Sequence, residues 1–147
     1  MQAKFLTSVE VQSLQERLSL YEKQIEALKK RVICTRKDQE ALRVRGRARM
    51  IELLGDPDSE NFKANKRRGF SMLWSEYRQW FKPIRSYRDT LEKDYDAGIK
   101  FIEEWIPSVQ QAISLSCCPL CQQQPGMTEI DDLKLCRSCA KIINEGR

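Results

Sequence analysis

RGFSMLWSEYRQWFKPIRSYRDTLEKDYDAGIKFIEEW, residues 68–105, is the stretch around which the chain must fold. It holds nine of the twelve aromatic residues and all three tryptophans, so any sizeable core forms here. Phe70, Leu73, Trp74, Tyr77 and Phe81 stand at i, i+3, i+4, i+7 and i+11. That is one apolar stripe of an α-helix, with Trp80 flanking it. Tyr95, Ile99, Ile102 and Ile106 repeat the period in a second stripe that Pro107 terminates. The two stripes are expected to bury against each other and a third element, giving a mainly α fold.

Composition narrows the classes. The 147 residues allow one modest domain with appendages. No apolar run is long enough for a transmembrane helix, and the first 30 residues lack a signal-peptide profile, so a cytoplasmic protein is expected. Six cysteines without an export signal point to metal rather than disulfides. There is no histidine, which excludes histidine triads, HNH-type nucleases and any imidazole base. No carboxylate pair stands at a catalytic spacing, and an enzyme is not expected.

Toward the amino terminus, Val11, Leu14, Leu18, Tyr21, Ile25, Leu28 and Val32 alternate spacings of three and four residues. This is a heptad seam with Val11, Leu18, Ile25 and Val32 at a, and Leu14, Tyr21 and Leu28 at d. Mostly β-branched a positions favour a parallel two-stranded coil, in which Arg17 (g) faces Glu22 (e) of the partner. A homodimer through residues 11–32 is one reading; the other is a helix whose stripe packs back on its own core.

The next segment is basic. Residues 29–50 carry a net charge of +7 while the remainder of the chain carries −2. Thr35 is the expected N-cap of this helix and Gly55, ahead of Asp56-Pro57, its stop, with Ala41, Val44, Ala48 and Ile51 as the buried face. Arg36, Arg43, Arg45, Arg47 and Arg49, with Lys66, Arg67 and Arg68 at the start of the aromatic helix, are candidate contacts to nucleic-acid phosphates. A solvated helix face with ion pairs among Arg36, Glu40 and Arg43 accounts for the same residues.

Several of these segments in order resemble a known family. A basic helix ends in Ile51-Glu52-Leu53-Leu54-Gly55, followed by Leu73-Trp74-Ser75-Glu76-Tyr77-Arg78 and the Phe81 turn. Ser86-Tyr87-Arg88-Asp89 and Asp94-Tyr95-Asp96-Ala97-Gly98-Ile99-Lys100-Phe101-Ile102 close the set. From about residue 32 to 106 the chain resembles the carboxy-terminal domain family of bacteriophage antirepressor proteins. The resemblance implies a small helical domain and a role in regulating phage or prophage gene expression inside a bacterial host. Lys82-Pro83 departs from the glycine usual after the aromatic helix, and the heptad segment stands where such proteins commonly carry a DNA-reading module.

Beyond Pro107, residues 107–116 read as a short tether or helical turn. Cys118-Pro119-Leu120-Cys121 and Cys136-Arg137-Ser138-Cys139 then form two C-x2-C pairs separated by fourteen residues. Each pair can aim two thiolates at one ion and two pairs complete a tetrahedron, the pattern of one structural zinc in a zinc-ribbon or treble-clef-like finger. Leu120, Met127, Ile130, Leu133, Leu135, Ile142 and Ile143 are too few apolar residues to fold the module unaided, whereas zinc supplies roughly 10–16 kcal/mol. Redox cycling of the pairs is the competing reading, disfavoured by the absence of a thioredoxin-like βαβ pattern. Cys117 stands beside the site as a spare ligand or a neighbour, and Cys34 as a small buried apolar residue.

The expected organisation is a heptad helix over 1–33, an antirepressor-like helical domain over 34–107, and a tether with a four-cysteine finger over 108–147. The expected function is modulation of transcription through DNA contact. The alternative is capture of a repressor or host factor without touching DNA.

Overall fold

The computed structural model describes residues 5–146. Three helices make the centre: α2 (Arg36–Leu54), α3 (Glu60–Trp80) and α4 (Tyr95–Glu104). Helix α1 (Ser8–Lys29) precedes them, α5 (Val109–Ser114) follows, and the chain closes with β1 (Thr128–Ile130), β2 (Leu133–Leu135) and α6 (Arg137–Glu145).

The aromatic stripe behaves as its spacing predicts. Leu73 and Tyr77 are fully buried, and Phe70, Trp74 and Phe81 pack against them, while Trp80 lies largely in solvent. Trp74 stacks on Tyr87 with ring centroids 4.5 Å apart, and Phe101 meets the Tyr77 ring edge-on at 5.6 Å. The Tyr77 hydroxyl shares a 2.7 Å hydrogen bond with Thr90 Oγ1; burial nonetheless pushes its pKa up to about 12, the bond to Thr90 working against that rise.

Helix α2 starts and stops where expected. Thr35 and Asp38 form a reciprocal capping box, and Gly55 ends the helix at φ +102°, a conformation that favours glycine. Its buried face differs from expectation. Leu42, Gly46, Arg49, Met50, Leu53 and Leu54 face the core, whereas Val44 and Ala48 are exposed. Gly46 is the reason. A Cβ there would stand 2.7 Å from the Trp74 ring, so α2 turns its glycine, rather than its alanines, toward the largest side chain of α3.

The second stripe is shorter than its periodicity suggested. Helix α4 ends at Glu104, Ile102 is buried, and Ile106 lies outside the helix, nearly half exposed. Trp105, the C-cap residue, turns inward instead. Its indole N–H donates to Glu76 on α3, and its carbonyl accepts a 2.9 Å hydrogen bond from Arg49 Nε on α2. Arg49 also pairs with Glu52 at 2.6 Å and is almost wholly buried. A guanidinium here satisfies a helix-terminal carbonyl that water cannot reach. Arg49→Met is therefore expected to cost about 1–3 kcal/mol, lowering the melting temperature by several degrees. Arg45→Met, which removes only an exposed pair with Glu103, should cost under about 1 kcal/mol, so thermal unfolding of the two variants separates the roles.

Residues 107–116 are more than a tether. Ser108 and Gln111 form a capping box on α5, and Ala112 and Leu115 are fully buried in the main core. Arg68 braces this helix by donating to the carbonyl and hydroxyl of Ser114. Cys34 is buried as expected, and its backbone N–H bonds the Thr90 carbonyl at 2.8 Å, beside a bridge between Ile33 and Leu91.

Helix α1 does not pack back on this core. None of its residues is buried, and Val11, Leu14, Leu18, Tyr21, Ile25 and Leu28 are 40–63% exposed. The helix stops at Lys29, so Val32, expected as the last a position, falls outside it; its carbonyl accepts from the N–H of Glu92.

Candidate functional site

The four cysteines of the two C-x2-C pairs converge. The sulfurs of Cys118, Cys121, Cys136 and Cys139 all lie within 4.8 Å of one another. Local structure explains why. Cys118 and Cys121 sit on a tight turn closed by the Gln122 N–H on the Cys118 carbonyl, with Gln122 itself at φ 59°. Strands β1 and β2 pair antiparallel through Asp131 and Asp132, both with positive φ, a two-residue turn whose twist matches the strands. The hairpin delivers the chain to Cys136, the N-cap of α6, and puts Cys139 one turn further along.

The donor set fits a zinc ion. A tetrahedron with zinc–sulfur bonds of about 2.3 Å has edges of about 3.8 Å. Cys121 Sγ and Cys136 Sγ stand 3.8 Å apart. Burial opposes a Cys118 thiolate, but backbone N–H groups of Cys121, Cys136 and Leu120, with the Cys121 thiol, outweigh it and bring its pKa down to about 7. Cys121 and Cys139 are pushed up, first by burial and then by neighbouring sulfurs, Cys139 to about 12. A dication held by these four sulfurs would supply the positive charge that favours their thiolate forms.

The apolar support is thinner than the count of residues suggested. Leu135 and Ala140 are buried beside Cys118 and Cys136, with Ile130 and Ile143 packed against them. Leu120, Met127, Leu133 and Ile142 are exposed. Cys117 belongs to the other core: it is buried, its Sγ donates to the Leu53 carbonyl at 3.1 Å, and burial pushes its pKa up to about 12. It is not one of the four converging sulfurs.

The basic residues divide. Arg36, Arg43 and Arg47 share one exposed line of α2. Arg36, Gln39, Glu40 and Arg43 also line an open cleft of about 420 Å³ with Tyr87 and Arg88. Arg43 is held by Glu40 at 2.5 Å, and the Arg47 guanidinium lies 5.8 Å from the Phe62 ring centre. Arg45 is on the opposite flank, paired with Glu103 at 3.2 Å. Arg49 faces the core and leaves the set of surface cations. Lys66, Arg67 and Arg68 are exposed on α3. Arg88 joins the cleft unexpectedly; its place beside Tyr87, which stacks on Trp74, is set by tertiary packing alone.

The model of the ORF6C domain matches residues 4–114. The chain belongs to the ORF6C domain family. This domain occurs in phage-type, antirepressor-like proteins, in agreement with the resemblance read from the sequence. The match is wider than residues 32–106 and takes in both α1 and α5. The four-cysteine cluster lies beyond the ORF6C match. No curated protein and no solved structure matches the chain. Among the described residues no helix is long and apolar enough to cross a membrane.

Proposed function

We propose that this ORF6C protein is a phage or prophage regulator that modulates transcription through contact with DNA in the cytoplasm of the bacterial host. The observation that carries the reading is the exposed line of Arg36, Arg43 and Arg47 on α2, widened by Arg88 across the adjoining cleft. A row of guanidinium groups at helical spacing suits successive backbone phosphates. Parallel pairing of α1 with its copy doubles the row. The four cysteines hold one zinc in a zinc-ribbon or treble-clef-like finger, and four thiolates leave no open position for substrate, so the metal is structural and the protein works by binding rather than catalysis.

Arg43→Glu with Arg47→Glu is expected to weaken binding to any duplex. The slope of log affinity against log salt should flatten by about 0.9 for each phosphate that is no longer neutralised, a few units in a dimer. The melting temperature should hardly move, since the exposed Glu40 pair contributes little. Arg45→Glu, on the other flank, should leave the slope alone. A parent protein that binds no duplex even at low salt would overturn the reading in favour of repressor or host-factor capture.

A further inference from the structure

A second surface is lined by none of the arginines of the α2 line. Where residues 32–34 pair beside 90–92 and the turn after α3 folds across them, a groove of about 510 Å³ opens. Its lining separates by chemistry. Ile33, Phe81, Pro83, Ile84 and Leu91 supply apolar surface, and Ile33 is nearly half exposed. Lys30, Arg31, Lys82, Arg85 and Lys93 surround it, and among the described residues none of these five takes part in an ion pair. Asp89 and Asp94 are the acidic members, and the Asp89 carboxylate already accepts the Arg85 backbone N–H at 3.3 Å.

We infer that this groove binds an acidic segment of a partner protein that carries apolar anchor residues. The charge balance around the groove is +3, which selects carboxylates. The apolar surface between the cations selects the anchors, because covering it removes hydrocarbon from water at about 25 cal/mol per Å². A nucleic-acid backbone meets only half of this description: phosphates would answer the rim, but laying them over Ile33 and Pro83 would strip their hydration without replacing it. The arginine line of α2 presents no comparable apolar floor, so the two surfaces suit different ligands. Peptide capture in the groove does not depend on DNA binding elsewhere.

A displayed library of random peptides about twelve residues long, panned against the full chain, tests it. Enriched peptides should combine Asp or Glu with Leu, Ile, Phe or Trp. Synthesised and titrated by fluorescence anisotropy, they should bind about tenfold or more weakly to the Lys82→Glu, Arg85→Glu double variant, and more weakly to Ile33→Ser. Affinity for Arg43→Glu, Arg47→Glu should stay within about twofold of the parent, since those residues lie on the other surface. Circular dichroism would verify that each variant is folded, all the changed residues being at the surface. Four results would overturn the inference: no enrichment; enriched peptides lacking acidic residues; a polyglutamate peptide binding as well as the selected ones; or duplex DNA displacing the peptide and itself losing affinity in the Lys82→Glu, Arg85→Glu variant, which would make the groove a nucleic-acid site.

Discussion

Replacing Cys118 or Cys136 by serine is expected to strip the protein of its metal and unfold everything after residue 117. Elemental analysis of the parent protein should give one zinc per chain. The size of the effect follows from how little else holds this module. Among the described residues only Leu135 and Ala140 are buried there beside two of the cysteines, too little to replace the roughly 10–16 kcal/mol of a zinc site. Cys118 and Cys136 are the buried ligands, which makes their loss more damaging than that of the partly exposed Cys121 and Cys139. In the serine variants β1, β2 and α6 should become susceptible to protease, while the fluorescence of Trp74 and Trp105, in the helical core, persists. Cys117→Ser should retain zinc, because its sulfur bonds the Leu53 carbonyl and belongs to the other core. Zinc absent from the parent protein, or lost equally from Cys117→Ser, would refute the ligand assignment.

The second large effect concerns association. Leu18→Asp with Ile25→Asp should convert a dimer into a monomer in light scattering, and α1 should lose its helical circular dichroism. The six seam side chains from Val11 to Leu28 are 40–63% exposed, and none of the described residues buries them. Most helical stability in proteins comes from packing an apolar face rather than from propensity, and burying each Leu or Ile in a seam contributes about 1.5–3 kcal/mol. Both substituted residues are a positions, so a dimer would have to bury four carboxylates. Thr7 and Glu10 already close the amino-terminal end of α1 with a capping box, which leaves the seam as the element under test. A monomeric parent protein would end the coiled-coil reading.

What could be read from the sequence depended on whether the signal was local. The Leu73–Tyr77 stripe and the two C-x2-C pairs are local patterns, and both took the expected place. The face of α2 was misjudged because pattern reading assigns Ala and Val to the inside and Arg to the outside. Here Gly46 accommodates the Trp74 ring, and Arg49 is needed inside by the Trp105 carbonyl, a partner 56 residues away. The finger hairpin did carry a usable signal, Asp131-Asp132 between Ile130 and Leu133, a two-residue turn with apolar residues on either side. Arg88 could not have been found this way: Ser86-Tyr87-Arg88-Asp89 shows no periodicity, and tertiary contacts such as the stacking of Tyr87 on Trp74 bring it beside α2.

Cys117 and Cys118 are neighbours in the chain, yet one is sunk in the helical core and the other in the four-cysteine cluster. A second tie, from the Gln122 side-chain amide to the Pro107 carbonyl at 2.8 Å, spans the same junction. Tandem modules on a flexible connector must search for their second contact after the first is made, at an effective concentration set by connector length. Here there is no connector. A ligand that touched both the cysteine cluster and the helical domain would meet them across this short junction, with less conformational entropy left to lose than on a flexible connector. A junction held this closely would make the spacing of a ligand's two contact points something it must match, alongside their chemistry.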